Sequence, residues 1–137
     1  MNAKQWVIGT IVGAAVIFGV GWVLFDMLLA SYYEANAGSA TGIVKDPPVM
    51  WALVVGALAY AALIIYAMRA QAGSVNMVSG MKVGAIVGFL LWATADFMLF
   101  GIANLNNLTI TMVDPFVELV HGGIAGAVIG AVLPKVA

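Results

Sequence analysis

Three carboxylates and one histidine interrupt long apolar runs of this sequence: Asp26 in GWVLFDMLL, Asp96 in LLWATADFMLF, and Glu118 with His121 in DPFVELVHGG. Glu118 and His121 are three residues apart and share one face of a helix, the spacing with which Glu-x-x-His pairs hold metals inside helical bundles. Isolated charge in hydrocarbon is costly. With no Lys or Arg at their depth, these groups must be protonated, hydrated or neutralised by a bound cation. The expectation is an ion or proton site built from Asp26, Asp96, Glu118 and His121. Were the occupant a metal, its ligands would be Asp96, Glu118 and His121, a donor set suited to a divalent ion such as Zn, Mn or Fe(II) rather than Cu(I).

Plainer roles compete with that site. Asp26 and Asp96 can hydrogen-bond across helices, and His121 can meet a backbone carbonyl beside Gly122 and Gly123. Trp22 and Trp92, one turn before their aspartates, have the spacing of packing residues. An intramembrane enzyme using Glu118 and His121 as acid and base is the weakest reading, because no nucleophile is paired with the histidine.

The elements that must position these residues are membrane helices. Of the 137 residues, 64% are hydrophobic and only 8% charged, whereas about a quarter of an ordinary soluble domain is charged. Mean hydropathy is +1.11. Four stretches approach the roughly 20 apolar residues that cross a bilayer: about 6–32, 48–69, 80–103 and 115–133. They leave little over for a soluble domain, so the expected fold class is all-α, a single polytopic transmembrane domain in contact with the bilayer. The first run follows Lys4 as a signal peptide would, but it is too long, carries Asp26 and closes on no small-x-small site. The absence of cysteine excludes disulfides and thiolate chemistry. A net charge of −1 without a basic cluster gives no footprint for nucleic acid, and no haem, flavin or nucleotide signature is present.

Four spans put both termini on one side, together with Lys4, Arg69, Lys82 and Lys135, and leave Lys45 on the other. The positive-inside rule makes the terminal side cytoplasmic. Sliding the chain by 70 residues aligns Trp22 and Asp26 with Trp92 and Asp96. DPPV at Asp46 and DPFV at Asp114 each resemble a helix start, with Asp as N-cap and Pro at the first helical position. These pairs predict two tandem helix hairpins related as a parallel repeat. At about 1.5 Å per residue, Asp26, Asp96 and His121 fall roughly 9–10 Å below the outer ends of their spans, with Glu118 one turn above His121. Gly80, Gly84 and Gly88, and Gly122, Gly126 and Gly130, form two small-residue ridges that predict close packing of spans 3 and 4, or else a dimer interface.

The stretches GWVLFDMLLASYYEANAG and GMKVGAIVGFLLWATADFMLFGIANLNNLTITMVDPFVELVHGGIAGAVIGAVL together resemble a bacterial family of small four-span membrane proteins catalogued as a domain of unknown function. The shared features are an aromatic-rich end to span 1, a glycine-rich span 3 and an Asp-led loop into a final glycine-rich span. The resemblance implies a four-helix protein of the bacterial inner membrane and no activity for any residue. Two functions follow as expectations: a cation- or proton-binding protein, in one form a small transporter, or an accessory or scaffold subunit of a larger membrane complex. A homo-oligomer is compatible with either.

Overall fold

The computed structural model describes residues 1–137. It is all-helical, with four helices long and apolar enough to cross a membrane. Helix α1 (Ala3–Gly21) runs into a π-helical segment, Trp22–Leu28, and after a break at Leu29 into the short α2 (Ala30–Ala35). Helices α3 (Met50–Ala70), α4 (Met77–Ile102) and α5 (Leu108–Val132) follow, and a 3-10 turn, Leu133–Val136, ends the chain.

Asparagines start three of the four long helices. The Asn2 side chain accepts from Gln5 N at 2.9 Å while the Gln5 side chain accepts from Asn2 N, and Asn76 forms the same reciprocal cap with Ser79. Each pair satisfies donors that the first helical turn leaves free. Asn107 caps α5 by accepting from Ile110 N at 3.0 Å.

That last cap corrects the Asp-Pro expectation. Span 4 begins seven residues before Pro115, because LTITMV is apolar enough to extend the helix outward, and Asp114 and Pro115 lie inside α5. Asp46 caps nothing either, since α3 starts after Val49 with no side-chain cap. The two Asp-Pro sites are therefore not equivalent. Nor are the two Trp-x-x-x-Asp copies: Trp22 and Asp26 are exposed on the π-helical segment, whereas Trp92 is half-buried and Asp96 buried on a regular α-helix.

The chain runs up and down. The Gln5 amide donates to Leu133 O at 3.0 Å, joining the two terminal segments. At the far end, residues 36–40 strap across 104–107 through Gly38 N to Leu105 O at 2.8 Å and Ala40 N to Asn104 O at 2.9 Å. Helix α5 is the hub, packed most extensively on α4 and also on α1, while α1 packs on α3. The glycine ridges face each other across α4 and α5. A Cβ on Gly84 would collide with the Gly122 carbonyl, one on Gly126 with the Gly80 carbonyl, and one on Gly88 with the Glu118 carbonyl. Both predicted ridges are thus consumed inside one chain, by backbones too close for any side chain.

Toward the terminal end the interior is apolar. Ala61, Ile64, Ile65, Met68, Ile129 and Leu133 are at most 1% exposed, forming a close-packed apolar plug.

Candidate functional site

Every buried charged side chain lies on α4 or α5 above that plug: Asp96, Asp114, Glu118 and His121, all at most 5% exposed. Asp114, Glu118 and His121 follow the i, i+4, i+7 rhythm that puts them on one face of α5, turned toward the other helices. With α5 starting at Leu108, they descend about 9, 15 and 20 Å from its first residue. The expected single layer is therefore a column.

At the bottom of the column, His121 Nε2 lies 2.8 Å from the Ile17 carbonyl of α1, and Nδ1 lies 3.0 Å from Glu118 Oε2. A carbonyl only accepts, so Nε2 carries the hydrogen. The Nδ1 contact then requires one more proton, held either on Nδ1 or on the Glu118 carboxyl. In both forms the pair is neutral overall, which is how it tolerates burial. Tyr60 of α3 approaches the same Glu118 oxygen with its hydroxyl at 3.4 Å. The imidazole is framed by edge-to-face contacts with Phe25 at 5.9 Å and Tyr60 at 6.0 Å between ring centroids.

Glycine makes this arrangement sterically feasible. A Cβ on Gly122 would stand 2.7 Å from the Tyr60 hydroxyl, and one on Gly21 would stand 3.3 Å from His121 Cε1. The glycines that bring α4 and α5 together also admit the phenol between them.

No family model, curated protein or solved structure matches this chain. Its function must be read from the site itself.

Higher in the column, Asp96 and Asp114 bring two buried carboxyls near each other. Two ionised carboxylates only accept and repel one another, so their proximity favours keeping a proton on one of them. Tyr33 of α2 donates its hydroxyl to Asp114 Oδ1, and this phenol is the last group before the far end. Burial, followed by the hydrogen bond to Asp114 and the charge of Asp114, pushes the Tyr33 pKa well above the ordinary phenol value. Two atoms here find no partner: Asp96 Oδ2 and Trp92 Nε1, both inaccessible to solvent.

Asp26 does not join the site. It is exposed on the outer flank of the π-helical segment, because the preceding residue, Phe25, takes the inward position against His121 and Tyr33. In its place the fold supplies Asp114, which its Asp-Pro context disguised as a cap, together with Tyr33 and Tyr60. The i, i+4, i+7 register of Asp114 with Glu118 and His121 was visible in the sequence. Nothing in the local sequence marked the two tyrosines.

The metal expectation fares poorly on geometry. No three of the His, Asp and Glu side chains converge as ligands, and both ring nitrogens of His121 are already engaged. A metal at Nδ1 would have to displace Glu118.

Proposed function

We propose that this protein binds protons in the outer half of a four-helix membrane bundle, at a column made of Tyr33, Asp96, Asp114, Tyr60, Glu118 and His121. One observation carries the reading: His121 is bonded on both nitrogens to acceptor-type partners, which obliges Glu118 and His121 to hold a proton between them. The neighbouring Asp96 and Asp114 carboxyls, one to two turns higher, add a second place that favours a bound proton. All five Lys and Arg side chains are exposed, so protons are the available countercharge. The residue types suit proton exchange, since carboxyl, imidazole and phenol groups each accept and release one.

The cation bias of the terminal end supports an orientation with both termini in the cytoplasm of a bacterial cell and Tyr33 toward the outside. Protons would then enter from the outer face past Tyr33. The apolar plug beneath His121 favours binding, or one outward-facing state of a small transporter, over a continuous conducting path. It equally favours the second reading, an accessory subunit of a larger complex whose polar column responds to external pH.

The deciding experiment measures proton uptake by purified protein in lipid nanodiscs with a pH-indicating dye. Wild type should take up protons as the medium is acidified, and Glu118→Gln and Asp114→Asn should each remove part of that uptake. Uptake identical in all three would end the proposal. Proton flux in liposomes then separates transporter from subunit, because only a transporter acidifies the lumen by itself.

A further inference from the structure

The exposed face of α1 presents a problem that the proton column does not solve. Ile11, Ala15, Gly19, Trp22 and Asp26 are all exposed and recur at the three- and four-residue spacings of one helix face. Gly19 is unlike the glycines of the α4–α5 ridges: a Cβ there would meet nothing within 4 Å. Shallow apolar grooves run on both sides of the Ala15–Gly19 ridge. One, of about 450 Å³, reaches Val20, Val23 and Ile124, and the other, of about 400 Å³, reaches Phe18 and Val54.

Asp26 crowns this face at membrane depth. Phe25 stands against His121, which lies about 20 Å below the start of α5, so its neighbour Asp26 is level with the interior column rather than with the loops. No cation meets it, since the only ion pair in the chain joins His121 and Glu118. A carboxyl turned toward hydrocarbon is costly. Something must cover it.

We infer that this face is the interface of a homodimer, in which two copies lie side by side in the same orientation about a two-fold axis along the membrane normal. The face is self-complementary, as such an interface requires. Trp22, 58% exposed, offers an indole N–H one turn below Asp26, and a buried indole N–H seeks a hydrogen-bond acceptor. Around a two-fold axis each Trp22 donates to the other copy's Asp26, giving two reciprocal hydrogen bonds. The Ala15–Gly19 ridge lets the backbones approach, and the flanking grooves receive the partner's apolar side chains. No charged residue of a foreign chain is needed to neutralise or pair the carboxyl.

The native chain contains no cysteine, so single-cysteine variants report directly on this contact. Under mild oxidation in nanodiscs or native-like membranes, Gly19→Cys should form a disulfide-linked dimer, which requires Cα atoms within about 7 Å. Gly56→Cys, on an equally open face of α3, should stay monomeric. Single-molecule photobleaching of the otherwise native chain should show pairs, and Asp26→Leu and Trp22→Phe should each raise the dimer dissociation constant about five- to tenfold, the loss of two bonds of the strength common between membrane helices. All these side chains face outward, so thermal melting of the monomer fold should be unchanged. An unlinked Gly19→Cys, equal linking at Gly56→Cys, or a dissociation constant untouched by Asp26→Leu would each overturn the dimer. Recovery of the Gly19→Cys variant disulfide-linked to a foreign chain in place of a second copy would overturn it as well.

Discussion

Replacing Glu118 in two ways separates the bonds it makes from the proton it shares. Its Oε2 faces two groups, His121 Nδ1 at 3.0 Å and the Tyr60 hydroxyl at 3.4 Å. Glu118→Leu keeps the approximate size but strands both, inside a site where the glutamate itself is 2% exposed. An orphaned buried polar group costs about 1–3 kcal/mol, and polar contacts between membrane helices average nearer 0.6 kcal/mol, so two orphans together imply a loss of about 2–4 kcal/mol. Glu118→Gln behaves differently. With its NH2 in the Oε2 position it can donate one hydrogen to Nδ1 of a neutral imidazole and the other to the Tyr60 oxygen, so both contacts survive and only the titrating proton disappears. The glutamine variant should then lie within about 1 kcal/mol of wild type, the range of a swap that leaves no buried group unpaired. Unfolding in mixed detergent micelles measures the stability difference, and dye-detected proton uptake measures the loss of the shared proton. A glutamine variant as unstable as the leucine variant would refute the inferred bonding, because it would mean that the negative charge, not the hydrogen bonds, holds the site. A leucine variant as stable as wild type would refute the claim that Glu118 bonds both His121 and Tyr60.

Gly84→Ala should destabilise the bundle by about 1–3 kcal/mol, the cost of overpacking, because its Cβ meets the Gly122 carbonyl; Gly101→Ala, with nothing within 4 Å, should be neutral, and thermal melts compare them. Gly122→Ala should in addition push the Tyr60 hydroxyl away from Glu118, seen as altered proton uptake as well as a lower melting temperature. Since the raised Tyr33 pKa means that folding favours the neutral phenol, its stabilising contribution is fully present below the unfolded-state value of about 10 and declines as pH climbs above it. Stability should therefore fall in alkali, and less steeply in Tyr33→Phe, as followed by circular dichroism across that range. Asn107→Ala should cost about 1 kcal/mol by removing the α5 cap and should loosen the strap, where the Asn107 amide also donates to Asn36 Oδ1 at 3.1 Å; hydrogen exchange at residues 36–40 reports it.

The sequence by itself determined the elements. Four long, mostly apolar runs can satisfy their backbone groups in hydrocarbon as helices, so the all-α class and the number of spans were legible from composition and length. It also marked the glycine ridges of α4 and α5 as sites of close helix approach, while leaving open whether they met each other or a second copy; the structure packs them together. Asp96, Glu118 and His121 stood out for the same reason that they are unusual: polar groups in a membrane span need partners. What only the tertiary structure decided was rotation and register. An evenly apolar helix carries almost no signal for which side faces inward, since lipid and protein interior are equally hydrophobic. Hence Asp26 could be expected at the site and yet face outward, its inward place taken by Phe25. Hence too Asp114, with the same Asp-Pro signature as Asp46, left the category of helix cap and became a buried acid, once Asn107 was found to start α5 two turns earlier. Tyr33 and Tyr60 joined through contacts between residues 81 and 58 positions apart in the chain. Such pairings are set by how whole helices dock, and no local stretch of sequence encodes them.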